Sequence, residues 1–204
     1  DISHEIRTPL SLISGPLENL MQSKDHSAKE KEWLAMIKRN SERLLYLVNQ
    51  ILDISRLDAS HMKLILEEND VIKHLRMLVS EYTSLAERKN IEFVIDIPDK
   101  EINVLFDREK IENIATNLLS NAFKFTKEFG TITCRAKILS GSNDSYDAAL
   151  RIIIADTGSG IAHEEKEKIF DRFYRARGNV FENFGGTGIG LSISKELIKL
   201  LHGE

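Results

Sequence analysis

In the first twenty residues Ile2, Ile6, Leu10, Ile13, Leu17 and Leu20 recur at steps of four and three. At about 100° per residue they fall within a stripe about 80° wide, which predicts an amphipathic helix. His4 lies away from that stripe, and Thr8 follows one turn later on nearly the same exposed side. Pro9 lacks an N–H and its ring crowds the preceding turn, so a bend is expected just after His4. Gly15-Pro16 marks a second expected irregularity. The polar stretch from Gln22 to Lys29 reads as a connection. A second helix of the same periodicity then runs through Trp33, Ile37, Asn40, Leu44, Leu47, Ile51 and Ile54. A hairpin of two such helices has little interior of its own, whereas two copies packed as a four-helix bundle bury both stripes. The sustained heptad spacing favours this homodimer over a hairpin folded onto the rest of its own chain.

The pattern loosens between Asp58 and Glu68, which puts a boundary near residues 60 to 66 and divides the chain into domains 1–62 and 63–204. Val71 to Glu87 looks helical. Ile91, Phe93, Ile95 and Ile97 alternate as a strand that Pro98 ends, and Ile102 to Phe106 forms another. Asp107 is placed to cap a helix with apolar positions Ile111, Ile114, Leu118 and Ala122. Thr131 to Leu139 and Ala149 to Ala155 read as strands around a polar turn, and helices are expected near residues 163 to 173 and 188 to 201. Helices interspersed with strands imply an α/β sandwich with a mixed, largely antiparallel sheet.

The 204 residues are 42% apolar, with 32 acidic against 28 basic residues and a formal charge of −4. No concentrated basic face suggests nucleic-acid binding. Cys134 is the one cysteine, so neither an internal disulfide nor a cysteine metal cluster can form, and in an apolar strand it reads as buried filler. Trp33 is expected to pack in the hairpin. His26, His61, His74, His163 and His202 show no metal-ligand spacing and read as surface or boundary residues. The chain holds no apolar run of about 18 residues and no signal-peptide pattern.

Three stretches carry chemistry. Asp156-Thr-Gly158-Ser-Gly160 turns directly off a strand, so the carboxylate can accept from an exocyclic amine such as that of adenine, and the glycines let backbone approach a flat ring. Asp-Thr-Gly also opens aspartic protease sites, and such turns occur without function. Gly185-Gly186-Thr187-Gly188-Ile189-Gly190-Leu191 leads into an amphipathic helix, whose N–H groups and dipole suit phosphate oxygens; it lacks the lysine of a P-loop, and a hinge is the plainer reading. Asn117, Asn121 and Lys124 share one face of a predicted helix, where amide oxygens can help to hold magnesium and the ammonium can offset phosphate charge. Solvent exposure alone is the alternative.

In order, His4-Glu5-x-x-Thr8-Pro9, Asn117-x-x-x-Asn121-x-x-Lys124-Phe-Thr, Asp156-x-Gly158-x-Gly160, Phe170-Asp-x-Phe173 and Gly186-Thr187-Gly188-Ile-Gly190-Leu resemble the H, N, G1, F and G2 boxes of sensor histidine kinases. Each is degenerate, but five in this order across nearly the whole chain are specific. The first twenty residues look particularly like those of hybrid two-component sensors of Bacteroides-type bacteria. The resemblance implies a dimerisation and histidine-phosphotransfer hairpin followed by the ATP-binding fold of gyrase-type ATPases. It also implies the cytoplasmic portion of an inner-membrane-anchored bacterial sensor, with membrane contact only through regions outside this chain; the charge pattern adds the expectation of no nucleic-acid partner for this stretch of sequence. Relatives carry further strands after the last helix, so this domain is expected to be truncated at its C-terminus.

Carried over residue by residue, the resemblance makes Asn117 the Mg2+ ligand, places Asn121 and Lys124 near the phosphates of ATP, and gives Asp156 adenine recognition. Gly158 and Gly160 shape that pocket, and Gly186, Thr187, Gly188 and Gly190 cradle phosphates. Residues from about Arg172 to Gly186 correspond to a mobile lid, with Phe181 or Phe184 to cover the nucleotide and Arg172 or Arg175 to add positive charge. His4 is then the phosphoacceptor, Glu5 orients or deprotonates its ring, and Thr8 serves dephosphorylation of the response-regulator receiver domain, which lies in trans or on the same full-length chain. Two alternatives stand beside this reading: a conformational ATPase of the gyrase and chaperone type, with Glu112 as a candidate catalytic glutamate, and a non-catalytic nucleotide-binding dimeric scaffold. Zinc hydrolysis is excluded because Thr8 occupies the place of the second histidine after His4-Glu5.

Overall fold

The computed structural model describes residues 13, 17, 20, 27–58, 62–140, 148–175 and 187–204. His4, Glu5, Thr8 and Gly186 lie outside them, as do His26, His61 and the lid phenylalanines. The chain divides into two compact units, Asp1–Met62 and Lys63–Glu204.

In the first unit residues 13, 17 and 20 are helical, and Leu17 is buried. The helix α1, Ala28–Asp58, follows the predicted periodicity but starts within the stretch expected to be a connection. The reason is local: Ser27 and Glu30 form a capping box, in which Glu30 Oε2 accepts from Ser27 N at 2.8 Å and Ser27 Oγ accepts from Glu30 N at 3.3 Å. Trp33 does not pack inside; it is 54% exposed, with Lys29 Nζ 5.3 Å from its ring centroid. Ile37, Leu44 and Ile51 are exposed with it, so the single chain leaves much of this apolar stripe unburied.

The second unit begins with β1, Glu67–Asp70, an acidic strand that hydrophobic alternation cannot reveal. It is followed by α2, Val71–Ser80, and α3, Thr83–Arg88, so the single predicted helix is broken near Glu81. Then come β2, Glu92–Asp96, β3, Asn103–Phe106, and α4, Arg108–Phe125. The strands β4, Thr131–Ser140, and β5, Ala148–Asp156, precede α5, Gly190–Leu200. Between β5 and α5 the expected helix is reduced to two 3-10 turns, His163–Glu165 and Lys168–Phe170. Neither turn buries a residue, so no apolar face is available to sustain a longer helix.

β1 pairs antiparallel with β3, while β4 pairs parallel with β2 and antiparallel with β5, giving the expected mixed sheet. Ile132, Cys134 and Ala136 of β4 are buried on the face that receives the helices, as the two-residue period requires. One apolar cluster joins Val71, Ile72 and Leu75 of α2 to Ala115 and Leu119 of α4 and to this sheet face. A second joins Ala86, Ile91, Ala122, Phe123 and Ile132. Helix α4 thus contributes to both. Burial pushes the Cys134 thiol up to about 11, which keeps it protonated and unreactive at neutral pH. His74 is buried against Phe106, contrary to its expected surface position, because α2 turns that side into the core.

Two aspartates join the small sheet to the helices. Asp70 ends β1 and caps α2, its Oδ1 accepting from Ile72 N at 3.0 Å and Lys73 N at 3.2 Å, and also from Ile102 N at 3.1 Å just before β3. Asp107 follows β3 and caps α4, its Oδ1 accepting from Lys110 N at 3.1 Å while Oδ2 accepts from Ile65 N at 2.8 Å just before β1. Each carboxylate therefore fastens both a helix start and the opposite strand. Because Asp107 is buried, Asp107→Ala should cost about 2 kcal/mol in urea unfolding, the upper end for loss of a helix cap. At Asp70 desolvation raises the carboxyl, but the backbone donors of Ile102, Lys73 and Ile72 and the charge of Lys73 outweigh it and hold it below its ordinary 3.8. A lowered folded-state value stabilises above the unfolded value and is lost as pH falls through the folded one. Asp70→Asn should accordingly flatten the acid limb of a stability-versus-pH curve below pH about 4, with a wild-type slope there counting against the assignment.

Candidate functional site

Helix α4 has one face in the core and a neighbouring face bearing amides. Asn117, Asn121 and Lys124 are partly exposed, in contrast to Ala115, Leu119, Ala122 and Phe123. Asn117 Nδ2 donates to Gly190 O and to Ser194 Oγ, each at 3.3 Å, which fastens the middle of α4 to the start of α5. Ile189, Ile193 and Leu197 of α5 are buried beside these polar contacts. Each such side chain contributes about 1.5–3 kcal/mol, so apolar packing holds the helix pair and the amide sets its register. Lys124 Nζ lies 4.8 Å from the Phe125 ring centroid at the other end of α4.

The Asp156 turn meets that other end. Asp156 Oδ1 accepts from Gly158 N at 2.9 Å, closing a tight turn directly after β5. A side chain at Gly158 is excluded, since a Cβ there would stand 2.6 Å from Asp156 Oδ1 and 2.7 Å from Phe125 O. The Asp156 carboxylate is thereby held beside the C-terminus of α4 and remains exposed. Gly160 adopts φ +69°, the left-handed region that favours glycine, with open space around it.

The segment before α5 is tied down by a second close approach. Gly188 has φ +70°, and a Cβ there would stand 2.6 Å from Tyr174 O and 2.7 Å from the Phe173 carbonyl carbon. Phe173 N donates to Gly188 O at 2.9 Å, and Phe173 itself holds a left-handed φ of +64°. Thr187 Oγ1 accepts from Ile189 N at 3.1 Å, and Ile189, at the N-cap of α5, makes no side-chain cap hydrogen bond of its own. Arg172 and Arg175 are exposed in the stretch anchored to Gly188. The structure thus brings Gly190 and Ser194 to Asn117 at the middle of α4, joins Gly188 to Phe173 just before α5, and sets Asp156 and Gly158 at the C-terminal end of α4.

Ser194 meets Asn117 within this candidate site, a contact that the sequence reading missed. Its signal was a serine four residues after Gly190, beside the Ile189, Ile193 and Leu197 period. Phe125 stands in the Lys124-Phe-Thr motif, but its contact with Gly158 could not be read from it because the contact uses a carbonyl that every residue possesses. Glu112 is exposed and does not share the Asn117 face, being five residues and about 140° away around the helix. Its charge bears instead on Tyr82, whose hydroxyl is raised chiefly by burial, lowered by a hydrogen bond with Thr116, and raised again by Glu81 and Glu112. Among the described residues no group of three or more His, Cys, Asp or Glu side chains could hold a metal ion, and no helix is long and apolar enough to cross a membrane.

An α/β sandwich whose amide-bearing helix is bracketed by an Asp-x-Gly turn and a glycine-led helix defines a nucleotide-binding class of ATPase fold. Residues 106–204 match the family described as histidine kinase-, DNA gyrase B- and HSP90-like ATPase, and residues 1–60 match the His Kinase A phospho-acceptor domain. The chain belongs to the sensor histidine kinase family and comprises its catalytic core. It is 37% identical over 203 residues to hybrid signal transduction histidine kinase D of Dictyostelium discoideum, covering 100% of this chain and 13% of that relative. The chain therefore spans only a small part of that curated relative. Among solved structures, full-length ShkA in complex with AMPPNP superposes with a TM-score of 0.78 at 29% identity, covering 98% of this chain and 40% of that one. Histidine kinase ThkA in complex with response regulator protein TrrA superposes with a TM-score of 0.61 at 25% identity, covering 99% and 54%.

The two glycines of the Asp156 turn should respond differently to alanine. Gly158→Ala forces a side chain against backbone and should destabilise the second unit by about 2–3 kcal/mol in denaturant titration, the upper part of the range for overpacking. Gly160→Ala meets no atom and should cost only about 1 kcal/mol, from its left-handed backbone. Equal effects at the two positions would contradict this account of the turn.

Proposed function

We propose that this chain binds ATP along the amide face of α4, transfers its terminal phosphate to His4 and then passes that phosphate to an aspartate of a response-regulator receiver domain. The observation that carries the reading is the bracketing of α4. Gly190 reaches Asn117 and Gly158 reaches Phe125, two points eight residues and about 12 Å apart along the helix. One end offers an exposed carboxylate for the adenine amine, Asp156, in a pocket shaped by Gly158 and Gly160. The middle of the helix meets the start of α5, where Thr187, Gly188 and Gly190, with Gly186 before them in the sequence, would receive phosphate oxygens through backbone N–H groups and the helix dipole. Asn121 and Lys124 line the path between them, and Arg172 or Arg175 adds positive charge at the transferred group.

Magnesium fits this donor set. Without a carboxylate cluster, the ion would be held by one or two protein oxygens together with substrate phosphates, as Mg2+ commonly is. Asn117 suits that role because Nδ2 is turned toward α5. Bound there, the ion would neutralise phosphate charge as ADP leaves.

For the transfer itself, the His4 Nε2 lone pair attacks the terminal phosphorus, the new N–P bond forms, and the bond to the bridging oxygen breaks with its electron pair going to ADP. Glu5 accepts or orients the ring proton, and Thr8, one turn on, positions water for dephosphorylating the receiver. The half-exposed stripe of Trp33, Ile37, Leu44 and Ile51 supports a homodimer in which two hairpins form a four-helix bundle. The ThkA complex with TrrA supports a receiver domain as partner. We place this core on the cytoplasmic side of a membrane-anchored sensor, where ATP is available. The off-face position of Glu112 weighs against a conformational ATPase.

Incubation with gamma-labelled ATP should give an acid-labile, alkali-stable label on wild type and none on His4→Gln, with dimerisation and nucleotide affinity preserved in the variant. Retained label in His4→Gln would sink the phosphoacceptor assignment. Asp156→Ala should weaken nucleotide binding by about 10–100-fold, the range for a lost hydrogen bond to a charged group.

A further inference from the structure

The contact between α4 and α5 contains one group that neither the motifs nor the family match explains. Ser194 is 2% exposed, and its Oγ lies 3.3 Å from Asn117 Nδ2. The Gly190 carbonyl oxygen, one turn earlier on α5, lies 3.3 Å from the same nitrogen. An asparagine amide has two N–H donors on nitrogen and acceptor capacity only on oxygen. Both donors are therefore directed at α5. A carbonyl can only accept, so Gly190 selects the amide orientation; rotating the amide by half a turn would set two acceptor oxygens against each other. Asn117 Oδ1 lies over Gly190 on the side where a Cβ would stand, 3.1 Å from that position.

We propose that Ser194 is a positioning residue whose buried hydroxyl, with the Gly190 carbonyl, locks the Asn117 amide so that its oxygen is the atom presented to a divalent cation. This rests on the reading of Asn117 as a metal ligand given above. A cation requires oxygen and is repelled by the N–H end, so an amide free to turn presents the wrong atom part of the time. Two acceptors one helical turn apart remove that freedom, whereas one alone would hold the amide nitrogen at a single point. Partners of this kind, which orient a ligand without touching the ion, typically contribute 10–100-fold to metal affinity. Ser192 supplies an internal control. It is also buried, but its hydroxyl donates to Ile189 O of its own helix at 2.7 Å and does not meet Asn117.

The test is binding of a fluorescent ADP analogue to the whole chain, titrated with Mg2+ and repeated in EDTA, alongside melting of the nucleotide-free protein. Ser194→Ala should raise the Mg2+ concentration for half-maximal binding by about 10–100-fold. Its metal-free affinity and melting temperature should match those of Ser192→Ala. Ser194→Thr, which keeps the hydroxyl, should recover most of the Mg2+ response. The inference is overturned if Ser194→Ala leaves the Mg2+ requirement unchanged, or if it weakens metal-free and Mg2+-supported binding equally. Asn117→Ala separates the two levels. A shift there without one in Ser194→Ala leaves Asn117 as ligand and removes Ser194; no shift in Asn117→Ala removes both.

Discussion

The burial of α4 is the constraint on which the second unit depends. Ala115 and Leu119 belong to one apolar cluster, Ala122 and Phe123 to the other, and removing the helix would open both. Because these positions must face the sheet, the rotation of α4 about its axis is fixed. That rotation carries Asn117, Asn121 and Lys124 to the partly exposed flank. The core thus sets where the amides point, and a helix with amides on one flank need not sacrifice its own packing to present them. The Asp107 cap sets where α4 begins, and the same carboxylate reaches Ile65, so the helix start is referred to the small sheet as well as to the core.

Two absences of a side chain then set the surroundings of the candidate site. Gly158 lets the turn after β5 touch the carbonyl at the end of α4, and Gly188 lets the chain before α5 lie on the backbone of Phe173 and Tyr174. Both contacts are made to backbone, which has little room to retreat, so any Cβ would have to displace a whole segment. The turn after β5 and the start of α5 thereby both reach α4, while the stretch at Phe173 is fastened to the chain that leads into α5. Phe173 holds a left-handed backbone within the same contact, the kind of local strain that a surrounding structure must hold in place.

The sequence made the elements legible wherever periodicity was strong. The heptad steps from Trp33 onward, the alternation in Thr131 to Leu139 and the capping aspartate before α4 all lie at the level of local pattern, and their elements formed there. It was less informative where local and tertiary preferences differ. Glu67–Asp70 carries no apolar alternation; it becomes a strand because β3 offers a partner and because Asp70 and Asp107 fasten its ends. Residues 163 to 173 contain apolar positions at helical spacing, yet bury no residue in either 3-10 turn and so do not extend into a helix. His74, expected at the surface or a boundary, is buried; a lone histidine on an apolar face has no sequence mark of burial.

By itself, the sequence determined the two-part organisation, the chemical types at the site and the order of the motifs along the chain, since spacing and residue identity are one-dimensional properties. Tertiary structure decided which of those motifs meet. That Asn117 turns its nitrogen toward Gly190 and Ser194, that Phe125 lends only its carbonyl, and that Glu112 falls on another face follow from helix rotation and from backbone approaches of under 4 Å. Such contacts join residues 73 and 77 positions apart, and no local pattern encodes a distance between segments that only the packed core brings together.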